Sequence, residues 1–427
     1  MKKQNKLTVA VIGAGVVGIC TAIELQQAGF RVTLFDKDEP AKQTSFGNAA
    51  YIAAEYSEPL ASPQNITAAL LHTFSHKSAF KITADHFIKF IPWGLQFVKS
   101  ARQTANEHSR VALNQLNRQS IESWKRILKL SGHSQMLQKN GYLKLWEKPS
   151  DLSAAKKAAE NIKCNGHESI LLQGEALYDE EPSLARNFNH GLYFPNGHQL
   201  TGTYEVCLKL FDYFQKQGGE FYRDGVNRLV AVDAGVKLQT MKDDYNFDKA
   251  IISAGIWSKQ LVEDLGINIP LAAERGYHLT LPKISQTPRH ILESTDRHVV
   301  LSSLQTGLRI VGFGEYGNIN SKPIEKRYLQ LQHHLSKIIK DIDYQQQPIE
   351  TWMGIRPTLP DSLPVIDLHP QHPQIGMVFG HHHLGVTQAA ISAQIISGFM
   401  SQNSLTENKH SIINLRSNPY SVSRFKS

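Results

Sequence analysis

Residues 9–37 read VAVIGAGVVGICTAIELQQAGFRVTLFDK, and this stretch constrains the fold more than any other. An apolar run, Val9–Ile12, is followed at once by Gly13, Gly15 and Gly18. The pattern predicts a helix from about Val16 to Ala28, ended by Gly29, and a second apolar strand, Val32–Phe35, that stops at Asp36. This is a complete βαβ unit rather than a lone glycine motif. Gly13 permits the tight turn, Gly15 lets a pyrophosphate approach the backbone, and Gly18 lets helix pack closely on strand. Ala14, Val16 and Val17 belong to the same turn, whose helix N-terminus offers free N–H groups and a positive dipole end to phosphates. Asp36 can accept hydrogen bonds from a ribose. The unit reads as a dinucleotide site; the bland alternative is an ordinary βαβ crossover.

Lys2, Lys3 and Lys6 before an apolar stretch imitate a secretory leader. Cleavage there would destroy the glycine turn, so the expectation is a mature N-terminus and a cytoplasmic protein. At 427 residues the chain has room for two domains, or for one with a large insertion. Its 41% hydrophobic and 20% charged content suits a soluble globular protein. No apolar run approaches the ~20 residues of a membrane span. Cys20, Cys164 and Cys207 have neither zinc nor redox spacing, so reduced thiols are expected. The net charge of +8 is spread along the chain. That leaves peripheral contact with the inner face of an anionic membrane open. Without a basic arm or an aromatic–basic motif it argues against nucleic acid.

Further on, residues 57–140 read as mostly helical, Gly141–Trp146 as a strand, Leu152–Cys164 as a helix and Glu175–Leu184 as a turn-rich segment. Thr203–Gln217 has an amphipathic pattern with Cys207, Leu210, Phe211 and Phe214 on one face; Thr203 can cap its start and Gly218 its end. Strand patterns dominate from Phe221 to Ile310, then come helices at Glu325–Ile342 and Thr387–Met400. The polar tail after Gln402 is expected to be loosely held.

Five motifs occur in a telling order: GAGVVG at 13–18, TSFGNAA at 44–50, SAGIWS at 253–258, GIRPTLPDSLPVI at 354–366 and GHHHLGVT at 380–387. Together with ERGYHLT at 274–280 they resemble the FAD-dependent D-amino-acid oxidase superfamily, in particular its bacterial D-amino-acid dehydrogenase branch. Glycine oxidase and sarcosine oxidase are more distant relatives. The resemblance implies an α/β class, with a discontinuous Rossmann-like FAD-binding domain (1–56, 196–265 and 348–427) and a mixed or antiparallel-sheet substrate domain (57–195 and 266–347). It implies noncovalent FAD, since no Cys or His stands where relatives attach flavin. Asp36 and Lys37 would flank the adenosine, with Val226 against adenine. Thr44 and Ser45 would offer hydroxyls, although plain turn chemistry also explains them and Asn48. The small stretch Asn48, Ala49 and Ala50 would let backbone approach the flavin, and Ala254 and Gly255 would pass near the pyrophosphate. Leu384, Gly385, Val386 and Thr387 would bring a helix N-terminus to the flavin's pyrimidine end.

The chemistry implied is hydride transfer from an amino-acid Cα. It needs a grip on the carboxylate, a near-attack geometry and stabilisation of the charge left behind. Arg356 in GIRP is the expected grip, because a guanidinium offers parallel donors to a carboxylate. Tyr277 could donate to the same carboxylate or close the pocket; a core tyrosine is the alternative. His278 would point to the opposite strand face from Tyr277. Of the triplet His381–His383, His382 is the candidate to face substrate. Consecutive histidines alternate sides, so no metal site is expected. The substrate would be a D-amino acid or a proline-like secondary amino acid, with a quinone or another compound as electron acceptor. An H2O2-forming oxidase, or an accessory FAD subunit of a larger dehydrogenase complex, remains the alternative.

Overall fold

The computed structural model describes residues 6–63, 66, 80–83, 87–282, 284, 287–342, 348–401 and 415–425. The α/β class expected from the sequence is the class adopted. A six-stranded sheet runs in the order Glu220–Arg223, Arg31–Asp36, Thr8–Ile12, Lys249–Ile252, Ile375–Phe379, Val365–Leu368. All neighbours in it are parallel except the last pair. Alternation along the central strand splits the core in two, because successive side chains leave opposite faces. Val9 and Val11 pack under the helices Val16–Gln27, Thr203–Lys216 and Gly385–Ser401. Ala10 and Ile12 face the three-stranded antiparallel sheet Val226–Val232, Gly235–Thr240 and Asp244–Phe247. Cys20 and Cys207 are buried, free thiols on two of those helices, while Cys164 is exposed.

A second, nine-stranded sheet lies beside the first. Its edge strand Glu350–Thr358 pairs with Ala272–Leu281, which pairs with Gly307–Tyr316. The sheet then continues to Tyr142–Trp146, His190–Phe194 and Ile170–Gln173. Most pairs are antiparallel; Ile291–Ser294 with Tyr142–Trp146, and Phe80–Ile82 with Gly307–Tyr316, are parallel. Helix Glu325–Ile338 covers its far face through Tyr328, Leu331, Leu335 and Ile338.

Four local expectations differ from the structure. Glu350–Thr358 falls inside the third expected FAD-domain segment, yet its register with Ala272–Leu281 makes it part of the second sheet. Helix Thr203–Lys216 is preceded by Gly202 and has no side-chain cap. Thr203 Oγ1 instead donates to Asn48 Oδ1 at 2.6 Å. Segment 175–184 contains a short helix, Glu175–Glu180. Finally, residues 415–425 are strapped down: Tyr420 is buried and its hydroxyl donates to Ala112 O at 2.7 Å. Residues 402–414, and 64–65, 67–79 and 84–86 of the expected helical region, lie outside the described residues.

Candidate active site

The strand order reverses on either side of Thr8–Ile12, and crevices at such a point, beyond the carboxyl ends of the strands, are where open α/β sheets take ligands. A cavity of about 290 Å³ opens there. Gly13, Gly15, Val16 and Val17 line it, together with Asp36, Lys37, Thr44 and Ser45. Val226, Ala254 and Gly255 also reach it, and so do His382 and Gly385. Thirteen of the residues singled out from sequence thus share one cavity, although five separate chain segments supply them.

Close approach explains the glycines. A Cβ on Gly13, at φ +108°, would lie 2.6 Å from the Ser253 carbonyl oxygen, and one on Gly18 would lie 1.8 Å from the Gly13 carbonyl oxygen. Gly18 therefore does not line the cavity; it lets the helix sit on the turn. Asp36 is locked by two backbone donors, Ala14 N–H at 2.7 Å and Asp38 N–H at 2.9 Å. Burial raises its pKa, and these donors and Lys37 offset only part of that rise. Lys37 Nζ lies 4.5 Å over the Trp257 ring.

Several polar side chains expected at the cofactor are committed to the fold. Thr44 Oγ1 donates to Ile355 O at 2.6 Å, tying the loop to the second sheet. Asn48 donates to Ser45 O at 2.8 Å and accepts from Ala50 N–H at 2.7 Å. It thereby fixes the turn in which Ala50 has φ +55° and Ala49 is half-buried. Ser45 Oγ accepts from Val16 N–H at 3.0 Å, which leaves its hydroxyl proton to donate elsewhere. Thr387 Oγ1 accepts from Ala53 N–H at 3.0 Å. Leu384 and Val386 are buried, and the Val386 carbonyl accepts the Trp124 indole N–H at 2.8 Å.

Arg356 lies where the two sheets meet. Its Nη1 donates to Glu274 Oε1 at 2.7 Å and to Phe313 O at 2.9 Å. Thr358 Oγ1 donates to the other Glu274 oxygen at 2.8 Å. Burial pushes the Glu274 carboxyl up, but Arg356 and Thr358 outweigh it and hold the pKa below the usual value. The Arg356 side chain remains 21% exposed. Register explains what surrounds it. Directly opposite residues of an antiparallel pair share a face, so Glu274 with Arg356, Gly276 with Gly354 and His278 with Trp352 form one surface. Gly276 leaves room for the guanidinium, since a Cβ there would fall 2.4 Å from Nη2. His278 stacks on Trp352 at 5.2 Å beside Phe46.

Two sequence expectations are corrected here. Tyr277 lies on the opposite face from Arg356, by the period of two. It is buried against Tyr328 and Phe313, with its hydroxyl 3.4 Å from both Glu315 Oε1 and Ile324 N. It is a core tyrosine. His382, at φ +53°, turns toward the dinucleotide cavity, where its Nε2 accepts Leu359 N–H at 3.1 Å. His383 is the exposed member of the triplet and feels the charges of Glu274, Arg356 and Glu293. Its surroundings lower its pKa below the usual value, so it is neutral near pH 7. Tyr56 packs edge-on to His383 at 5.1 Å. Nearby, Tyr51 donates to Glu55 and stacks on Tyr142 at 4.6 Å, while Tyr142 donates to Glu293. Lys144 sits 3.2 Å from Glu293. Sequence reasoning missed Glu274 and His383. Strand alternation pointed to Glu274, on the face that excludes Tyr277, whereas nothing local singled out His383.

The second sheet touches this switch-point cavity through Pro357, the neighbour of the braced Arg356. The chain belongs to the family described as DAO, FAD dependent oxidoreductase, whose model matches residues 8–398. Among curated relatives it is 26% identical to a D-amino-acid oxidase of Bradyrhizobium diazoefficiens, covering 92% of this chain and 94% of that one. It is 28% identical to a D-amino acid dehydrogenase of Vibrio vulnificus, covering 92% and 96%. The fold matches the crystal structure of glycine oxidase from Geobacillus kaustophilus with a TM-score of 0.74 at 16% identity, over 99% of this chain and 100% of that one. It also matches L-proline dehydrogenase from P. horikoshii, with a TM-score of 0.74 at 17% identity over 98% of each chain. The cofactor is therefore FAD, and the cavity fits it: the glycine turn admits a pyrophosphate, and Asp36 is fixed at the strand end. One buried polar atom there has no partner, His382 Nδ1. Because Nε2 accepts, Nδ1 carries the proton of the neutral ring and is an unused donor lining the cavity.

Proposed function

We propose that this enzyme oxidises a D-amino acid, or a secondary amino acid of the proline kind, at Cα. The product is an imine, which water opens to a 2-oxo acid, or which persists when cyclic. The observation that carries the reading is Arg356: half-buried and braced by Glu274 and Phe313 O. A braced guanidinium presents its free edge to a carboxylate in a fixed orientation. The relatives named for amino-acid oxidation, at 26% and 28% identity over nearly the whole chain, support the same substrate class.

In this reading Gly13–Gly18 and Asp36 hold the pyrophosphate and ribose of FAD, Val226 meets the adenine, and Ser45 and His382 Nδ1 supply donors. The helix start at Gly385–Thr387 lends its dipole to the flavin end of the cavity. Bound FAD supplies a hydride acceptor. Arg356 fixes the substrate carboxylate, and through it the direction of the Cα–H bond. His383, neutral near pH 7, can accept a hydrogen bond from the substrate amine without competing for charge. The electrons pass on to a quinone or another acceptor.

The decisive experiment replaces Arg356 with Leu. KM for the amino acid should rise about 100-fold or more, some 3 kcal/mol of lost binding, with the flavin absorbance retained. Unchanged KM and turnover would refute the grip. Anaerobic bleaching by D- and L-amino acids, sarcosine and hydroxyproline epimers identifies the substrate. Oxygen uptake compared with dye reduction separates oxidase from dehydrogenase.

A further inference from the structure

Helix Phe87–Ser100 is apolar on two opposite sides. Phe90, Trp93 and Phe97 face inward against Tyr316 and Ala272. Phe87, Ile88, Ile91, Leu95 and Val98 face outward, exposed by 50, 80, 46, 67 and 53%. At helical spacing these five fall on a single stripe. They account for five of the twelve large apolar side chains exposed among the described residues. Scattered exposed apolar residues need no explanation, but a contiguous stripe does.

Charge says what covers it. From Phe87 to Asn106 there is no carboxylate, while Lys89, Lys99 and Arg102 are all exposed. The next acid, Glu107, is tied to Arg110 at 2.6 Å. An apolar stripe rimmed by cations is the make-up of a helix that lies in the interface of an anionic bilayer. With fourteen residues it cannot cross one, and no described helix is long and apolar enough to do so. A second copy of the chain is a poorer occupant, because a two-fold contact sets the same patch against itself and so brings like charges together.

The position is also telling. The Trp93 indole N–H donates to Thr358 O at 3.2 Å. Tyr316 packs on Phe90 at 4.8 Å and on Trp93 at 5.3 Å, and its hydroxyl lies 3.3 Å from Glu274 Oε2. The inner face of this helix thus reaches, through Phe90 and Trp93 and then Tyr316, the carboxylate that braces Arg356.

We propose that the outer face of Phe87–Ser100 is a lipid dock that seats the enzyme on an anionic membrane surface. The dock itself does not depend on the substrate. Its consequence, delivery of electrons to an acceptor dissolved in the bilayer, rests on the proposed function.

The test is sedimentation of the FAD-loaded full chain with phosphatidylglycerol–phosphatidylcholine vesicles and with pure phosphatidylcholine vesicles. The wild type should partition to the anionic vesicles. Ile88→Glu combined with Leu95→Glu should weaken binding at least tenfold. Lys89→Ser and Lys99→Ser should each weaken it about fivefold and flatten its salt dependence. FAD content and dye-linked turnover should stay at wild-type values throughout. A wild type left in the supernatant, variants that bind equally well, or a dimer on gel filtration that Leu95→Glu dissociates would each overturn the dock. Turnover is read on the same samples, so a failed dock with intact amino-acid oxidation is distinguishable from a failed function.

Discussion

Single atoms decide much of this site. Gly276 is the clearest case, since its missing Cβ leaves the place where the Arg356 guanidinium rests. The clash in Gly276→Ala is with the far end of a flexible side chain, so the fold should survive while the proposed carboxylate grip is displaced. KM is expected to rise about tenfold or more, worth about 1.4 kcal/mol, with a nearly unchanged thermal midpoint and full FAD content. Gly18→Ala should do the opposite kind of damage. There the Cβ meets backbone, the Gly13 carbonyl oxygen, which cannot swing aside. A loss of about 3 kcal/mol and weakened FAD retention are expected, to be read from thermal unfolding and flavin absorbance. Glu55 makes a third residue-scale case. Burial raises its pKa from 4.5 to about 7, so the folded protein holds a proton that the unfolded chain releases. Stability from this group is present below about pH 4.5 and is lost as pH rises through 7. Glu55→Gln should match the wild type at pH 4 and exceed it at pH 8, by at most about 3 kcal/mol in denaturant titrations.

At the scale of elements, the turn His381–Leu384 joins the first sheet to helix Gly385–Ser401. Burial depresses the pKa of His381 and His382 to about 3. Groups kept neutral by folding stabilise above their unfolded pKa, 6.5 here, and lose that contribution as pH falls toward about 3. The thermal midpoint should therefore drop steeply between pH 6 and 4. In His381→Gln, which keeps a polar partner for Ser392 Oγ, the drop should be shallower. Elements also show how far local pattern reaches. Leu152–Cys164 and the βαβ unit were legible because their periodicity is local. Tyr277 could not be assigned between pocket and core because a strand shows only that neighbours alternate. Which phase faces the site depends on pairing with Glu350–Thr358, some seventy residues on.

Across the whole molecule, distant segments hold one another. The strap 415–425 is pinned by Tyr420, and its Arg424 pairs with Asp361 at 2.6 Å. Polarity suggested a loose tail, yet the buried tyrosine and a partner carboxylate override composition. Tyr420→Ala should cost about 4 kcal/mol, visible as a lower thermal midpoint. By itself the sequence determined the glycine turn and the α/β class, since each is written in consecutive residues whose chemistry does not depend on neighbours far along the chain. Only the tertiary structure decided that Glu274 and Gly276 shape the space around Arg356, and that His383 rather than His382 is the exposed histidine of the triplet. It also decided that one helix shows five apolar side chains to the outside. These outcomes depend on strand register and on which helix face finds a partner, and both are settled by long-range packing rather than by local pattern.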